Sequence, residues 1–309
     1  MPPSCRVAVI GECMVELKKV SGNLEQGFGG DTLNTAVYLS RLTKANGVVT
    51  SYVTGLGRDP FSLAMLNAWK GEALNTDMVY LSEDKLPGIY AIETSDDGER
   101  SFFYWRNDSA AKYWMHGLEP SQLASELSKH QTLYLSGISL AILPKEYRQK
   151  LIDALTICRK KGSKVVFDNN YRPTLWGDRA EAQQCYSRIL TITDVALLTY
   201  DDEVMLWGDE TEKQTIARSQ QFGVTEIVVK RGAEACLVVT DKGLQAVAAN
   251  LVENVVDTTA AGDSFSAGYL AKRLSGGDPI QAAKAGHALA GSVIQFRGAI
   301  IPRDAMPTI

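Results

Sequence analysis

In the stretch VVDTTAAGDSFSAGYLAKRL, residues 255–274, Asp263 follows the small residues Ala260, Ala261 and Gly262 just where a helical pattern begins. The first N–H groups of a helix have no intrahelical acceptor and carry partial positive charge. With little side chain in the way, the N–H groups around 261–263 can cradle a phosphoryl oxygen or developing negative charge. Asp263 can then orient a substrate hydroxyl and take its proton as phosphorus is attacked. A carboxylate at a helix amino end is expected to be a weak base, but phosphoryl transfer needs positioning and charge neutralisation more than basicity. The plainer reading is that Asp263 merely starts a helix, where Asp is commonplace.

A second group of residues could recognise a ligand. GIY at 88–90 and GERSFFYWRND at 98–108 supply Tyr90, Tyr104 and Arg106. On a strand, residues 104 and 106 point to one face. A Tyr hydroxyl beside an Arg fork suits a carboxylate or an α-keto acid. An edge strand with aromatic packing and a solvated Arg would explain the same spacing.

These residues need strands and helices to hold them. Short β-branched runs recur as RVAVI, VTSYVTGLG, TLYLSG, KVVFDN, DVALLT, EIVVKRG and ACLVVT. Between several of them lie helical stripes: Leu33, Ala36 and Val37 after Asp31 as N-cap, Tyr147 to Cys158 ended by Gly162, and Ala267, Leu270, Ala271 and Leu274. The alternation predicts an α/β fold with a mostly parallel sheet covered on both faces, its ligand site beyond the carboxyl ends of the strands. VVFDN and IVVKRG place polar residues at such ends. Residues 12–30 and 87–108 lack helical period, and GIYAIET and ERSFFYW flank Ser-Asp-Asp-Gly as a β-hairpin. They are expected to form a small sheet acting as a lid on a single domain spanning 1–309.

The 309 residues carry a formal charge of −4 with a pI near 5.5, so nucleic acid is not an expected partner. No apolar run is long enough to span a bilayer, and the short Val7–Ile10 stretch suits a first strand better than a signal peptide. Five cysteines without a C-x-x-C pair and three scattered histidines support neither a disulfide framework nor a zinc site. A cytoplasmic protein with reduced thiols is expected. There is no G-x-x-x-x-G-K-[ST] loop, and GLGRDP at 55–60 lacks the last glycine of a dinucleotide fingerprint.

DTTAAGDSFSAGYL closely resembles the D-T-x-G-A-G-D-x-F-x-x-G signature of the ribokinase-like carbohydrate kinases, the phosphofructokinase B type. Asp257, Thr258, Ala261, Gly262, Asp263, Phe265 and Gly268 match it, and Ala260 replaces its first Gly. The resemblance implies a three-layer α/β/α domain with a small β-sheet lid, Asp263 as catalytic base and an anion hole at Ala260, Ala261 and Gly262. GGDTLNTAVYLSRL resembles the family's sugar-binding segment, which implies that Gly30, Asp31 and Asn34 hold hydroxyls; on the residues alone, Asp31 only caps its helix. FDNNYRPTLW resembles the D-x-N-x-R-x-x-L-W segment of the family's keto-sugar-acid kinases. That likeness implies Asn170 near the nucleotide and Arg172 bridging substrate and transferring phosphate; the alternative is an Arg paired with a surface carboxylate. IVVKRGAEACLVV resembles the strand–K-x-G–strand hairpin beside ATP, which puts Lys230 and Gly232 at the nucleotide, although KRG alone is an ordinary turn. QFRGAIIP fits the closing segment.

The resemblance implies ATP and Mg2+ as cosubstrate and cofactor, and relatives carry a monovalent cation (K+) near the Asp257 loop. Many relatives have N-x-x-E near the magnesium–phosphate network; here Thr199 stands at the Asn position and Asp202 or Glu203 replaces the acid. No protein ligand of magnesium is therefore assigned. Together the segments are similar to the keto-sugar-acid kinases, with Tyr90, Tyr104 and Arg106 on the carboxylate end. The expected reaction is ATP-dependent phosphorylation of 2-keto-3-deoxy-D-gluconate at its terminal hydroxyl. A same-fold kinase for fructose, ribose or a nucleoside is the nearest alternative, and a non-catalytic sugar-acid sensor the more distant one. A homo-oligomer is left open.

Overall fold

Val7, Ala8, Val9 and Ile10 are all buried, yet they divide between two cores: Ala8 and Ile10 join one hydrophobic cluster, Val7 and Val9 the other. A strand apolar on both faces belongs in a parallel sheet covered by helices on each side. The same division separates Val165 and Phe167 from Val166, and Ile227 and Val229 from Val228. These features come from a computed structural model that describes residues 5–20, 22–94 and 100–309. The Ser-Asp-Asp-Gly turn expected at 95–98 lies outside the described residues.

The strands in chain order are β1 (Arg6–Ile10), β2 (Met14–Val20), β3 (Asn23–Gly29), β4 (Val49–Leu56), β5 (Val79–Leu81), β6 (Ile89–Thr94) and β7 (Arg100–Trp105). They continue as β8 (Thr132–Ser136), β9 (Lys164–Asp168), β10 (Val195–Thr199), β11 (Glu226–Lys230), β12 (Cys236–Thr240) and β13 (Gly243–Val247). The large sheet has the order β13-β12-β11-β10-β9-β8-β1-β4-β5. It is parallel from β5 through β11, and β12 and β13 add antiparallel at one end. β1 lies between β4 and β8, so the chain winds away from it to both sides and leaves a crevice at the strand ends.

Helices Pro120–Leu127, Lys145–Lys160 and Arg179–Leu190 cover one face, and Asp31–Thr43, Pro60–Gly71, Ala261–Leu274 and Pro279–Val293 the other. The last two cross closely where Gly268 meets Gly286. A Cβ on Gly268 would lie 2.7 Å from the Ala285 carbonyl oxygen, so this signature glycine serves helix packing. Gly162 ends its helix at φ +101° as the sequence suggests. Asp31 departs from expectation. Its helix is preceded by Gly30 without a side-chain cap, and the Asp31 carboxylate instead accepts a hydrogen bond from Asn170.

The two segments lacking helical period supply a second sheet of four strands in the order β3-β2-β6-β7. β6 and β7 pair antiparallel with Tyr90 opposite Tyr104, as two arms of a hairpin.

Candidate active site

β9 and β11 flank β10, and each ends in a charge: Asp168 and Lys230. Lys230 Nζ donates to Asp168 Oδ2 at 2.8 Å, and both residues are buried. Ser266 Oγ donates to the same oxygen at 2.8 Å and Tyr134 Oη at 3.4 Å. Ser266 lies one turn after Asp263 on the helix Ala261–Leu274, so this buried carboxylate ties down the start of that helix.

The turn before the helix is left-handed at Ala260, with φ 61°. A non-glycine residue there costs on the order of 1 kcal/mol, which a glycine would not incur. The structure separates the N–H groups expected around 261–263. Ala261 N–H donates to the Thr258 carbonyl at 3.1 Å and is already used within the turn. Gly262 and Asp263, in the first helical turn, carry the N–H groups without intrahelical acceptors.

Asp263 is half-buried. Its Oδ2 accepts from Asn34 Nδ2 at 2.8 Å and its carbonyl accepts from Thr35 Oγ1 at 3.2 Å, joining two helices that are 229 residues apart at the Asn34 contact. Burial, and then the neighbouring Asp31 carboxylate, push the Asp263 carboxyl up to about 7; Asp168 adds to this, while Asn34 and Lys230 oppose it. The weak base expected at a helix amino end is thus corrected: desolvation and like charge outweigh the helix terminus. A group titrating near neutrality is suited to accept a proton from a hydroxyl.

Asn34 is buried, and its Oδ1 has no partner among the described residues. An unsatisfied acceptor beside Asp263 is a ready position for a ligand hydroxyl. Asn170 Nδ2 holds Asp31 Oδ2 at 2.7 Å, with Asn170 itself at φ 27°. Asn170 therefore meets the predicted sugar-binding segment.

A second cluster stands where the small sheet joins the large one. Arg106 follows β7 and donates to Glu12, which is 2% exposed and also accepts from Ser109 Oγ. The buried Arg106 Nε has no partner among the described residues. The Arg106 guanidinium lies 5.9 Å from the Tyr104 ring centroid, so the two share a face as strand geometry predicts. Tyr104 stacks on Tyr90 at 6.0 Å between centroids. Tyr90 donates to Glu16, and burial together with that carboxylate pushes its hydroxyl well up, keeping it protonated. Close approach explains two glycines: a Cβ on Gly30 would stand 2.2 Å from the Glu12 carbonyl oxygen, and one on Gly29 2.0 Å from Tyr90 Oη.

Other predicted residues sit apart from these contacts. Arg172 donates to the Tyr171 carbonyl at 2.8 Å and reaches Asp202 at 3.4 Å, a buried carboxylate rather than the surface one of the alternative reading. Burial raises the Asp202 carboxyl despite Arg172. Glu203 is committed elsewhere, accepting from Asn169 at 2.9 Å and Arg218 at 2.6 Å. Lys230 is engaged by Asp168, although Nζ would lie only 3.7 Å from a Cβ on Gly262. Gly232 is exposed in the turn after β11, at φ 59°.

Asp168, Glu12 and Glu16 belong to this constellation but were not predicted as site residues. Asp168 and Glu12 had one available signal, a carboxylate at or just after the end of a buried apolar run. No group of three or more His, Cys, Asp or Glu that could hold a metal occurs among the described residues.

The sequence pattern of the pfkB family carbohydrate kinases matches residues 5–306. A 2-dehydro-3-deoxygluconokinase of Escherichia coli K12 is 53% identical, covering 98% of this chain and 99% of its own. Among solved structures, a 2-dehydro-3-deoxygluconokinase from Thermotoga maritima superposes with a TM-score of 0.83 at 22% identity, covering 96% of this chain and 94% of its own. A ribokinase II candidate from Escherichia coli, in complex with ATP and Mg2+, gives a TM-score of 0.80 at 22% identity, with 98% and 96% covered.

Proposed function

The chain belongs to the pfkB family of carbohydrate kinases, and on that premise we propose that it transfers the γ-phosphoryl group of ATP to the terminal hydroxyl of 2-keto-3-deoxy-D-gluconate, forming the 6-phosphate. The observation that carries the chemistry is Asp263, half-buried, held by Asn34 and raised toward neutrality at the open first turn of a helix. Its carboxylate takes the hydroxyl proton as that oxygen bonds to phosphorus and the bond to ADP breaks. The N–H groups of Gly262 and Asp263 receive the charge on the transferring group.

The sugar acid lies from this turn toward the small sheet. The free Asn34 Oδ1 takes a hydroxyl, with Asp31 beside it, and Arg106 with Tyr90 and Tyr104 takes the keto-acid end. Arg172 turns from Asp202 to the transferring phosphate when nucleotide is bound. The small sheet acts as a lid that keeps out water competing for the phosphoryl group. The small residues of the turn fit phosphate oxygens. Magnesium would be held by those oxygens and water, with Asp202, which here accepts from the Tyr171 N–H and Arg172, the carboxylate in sequence nearest the N-x-x-E acid position, and it would supply charge neutralisation. A potassium ion against the Asp257 loop belongs to the same proposal.

A cytoplasmic setting accords with five free cysteines and with no helix among the described residues being long and apolar enough to cross a membrane. The −4 charge argues against a nucleic-acid partner. A homo-oligomer accords with Phe103 and Trp105, 48% and 62% exposed on the small sheet.

One observation favours a neutral sugar instead: the charge of Arg106 is already balanced by Glu12. ADP release with Mg-ATP in potassium salts, measured against 2-keto-3-deoxygluconate, gluconate, fructose, ribose and adenosine, separates the readings. Strong selectivity for the keto acid is expected; preferred turnover of fructose or ribose would replace the substrate while leaving Asp263 in place.

A further inference from the structure

The Asp168–Lys230 pair is buried, comes from two different strand ends and is not used by the reaction as described. Lys230 Nζ donates to Asp168 Oδ2 at 2.8 Å, and Ser266, one turn below Asp263, donates to that same oxygen at 2.8 Å. Lys230 also lies under the turn, 3.7 Å from where a Gly262 Cβ would stand. An ion pair in such a place costs desolvation of both partners, and an apolar pair would fill the space as well. Its placement beneath a reacting carboxylate gives it a use.

We propose that Asp168 and Lys230 are positioning residues for the catalytic step: through Ser266 they fix the first turn, and through their opposed charges they hold Asp263 poised as a base. The inference rests on Asp263 being that base. Every charged or titratable group known to act on Asp263 enters the balance. Asp31 comes from the first helix and Asp168 from β9, both disfavouring ionisation, while Lys230 from β11 favours it. Tyr38 from the first helix and Tyr134 from β8 also couple to Asp263; both hydroxyls are raised by burial and stay neutral. Asn34 donates a neutral hydrogen bond. Removing Lys230 alone leaves Asp31 and Asp168 acting on Asp263 without their opposing cation. Removing Asp168 alone leaves Lys230 set against Asp31 only. Removing both restores the balance.

The test is the pH dependence of kcat/KM for the sugar acid at saturating Mg-ATP, which reports the base in the nucleotide-bound enzyme before the sugar acid binds. It is measured from pH 5 to 9 for the parent, Asp168→Asn, Lys230→Met and the double variant. Lys230→Met should move the acid limb up by about one unit and Asp168→Asn down by about one unit, with the double variant returning close to the parent. Ser266→Ala, which keeps both charges, should lower turnover at every pH without moving the limb. If Lys230→Met does not fold, the separation between Asp168→Asn and the double variant still decides. A common limb in all folded variants, with only uniform losses of turnover, would overturn the proposal and reduce the pair to scaffolding. Failure of the parent to release ADP at any pH would instead strike the kinase reading beneath it.

Discussion

Arg106 offers the sharpest test of the substrate assignment, but replacing it alone would confuse two effects. Glu12 is 2% exposed and takes hydrogen bonds from Arg106 and Ser109. Arg106→Met would strand that carboxylate and cost about 3–5 kcal/mol of stability before any ligand bound. The informative variant therefore combines Arg106→Met with Glu12→Gln, removing the pair together. One arm of the Arg106 fork is taken by Glu12, and Nε is open. Counting one charge-assisted hydrogen bond to the ligand carboxylate, the loss is about 1.5–3 kcal/mol. At 1.36 kcal/mol per tenfold, KM for the keto acid rises about 10- to 150-fold. The reacting hydroxyl is at the other end of the substrate, so KM for ATP should hold within about twofold by the logic of uniform binding loss. Initial rates of ADP release, with each substrate varied at saturation of the other, read both constants. The amide analogue of the sugar acid is the control: it should lose to the acid in the parent protein and compete evenly in the double variant. An unchanged KM for the acid in the folded double variant would refute the carboxylate clamp.

Two further perturbations address other parts of the site. Asp263→Asn should lower turnover by roughly a hundredfold or more while ATP still binds, measured by single-turnover kinetics and calorimetry. It should also stabilise the fold at pH 8. With its carboxyl raised to about 7, folded Asp263 binds more protons than unfolded Asp between the ordinary Asp value and that point, so stability falls as pH rises through this window. Removing the charge lifts the melting temperature above neutrality and changes little at pH 4; the reverse pattern would deny the raised value. Gly30→Ala puts a Cβ 2.2 Å from the Glu12 carbonyl oxygen, a backbone atom with little room to yield. Destabilisation of about 1–3 kcal/mol in urea unfolding is expected, with KM for the sugar acid rising more than KM for ATP.

The features legible in the sequence are those written locally. β1, β9 and β11 are continuous apolar runs, and their division between two cores follows from period 2 alone. Asp263 was found because turn, carboxylate and helix occupy a few consecutive residues. The pairings that give these groups their chemistry join distant positions. Asn34 and Asp263 are 229 residues apart, Glu12 and Arg106 94, and Asp168 and Lys230 62. A lone Glu12 or Lys230 has no periodicity that announces its partner, so the Lys230–Asp168 pair is seen only in the folded chain. Asp31 shows the same limit in reverse: a good capping residue by type, it turns instead to Asn170 because that amide arrives from another strand end.

The small sheet is joined to the rest of the protein by four crossings: before β2, after β3, before β6 and after β7. A flap on one tether could swing or twist freely, whereas a sheet hung on four neighbouring backbones is restrained at each of them. Glu12, Gly30, Gly88 and Arg106 lie in those four crossings. On the proposed binding mode, the sugar acid touches two of these crossings directly, at Arg106 and beside Gly30, so the ligand and the joints of the small sheet share the same residues.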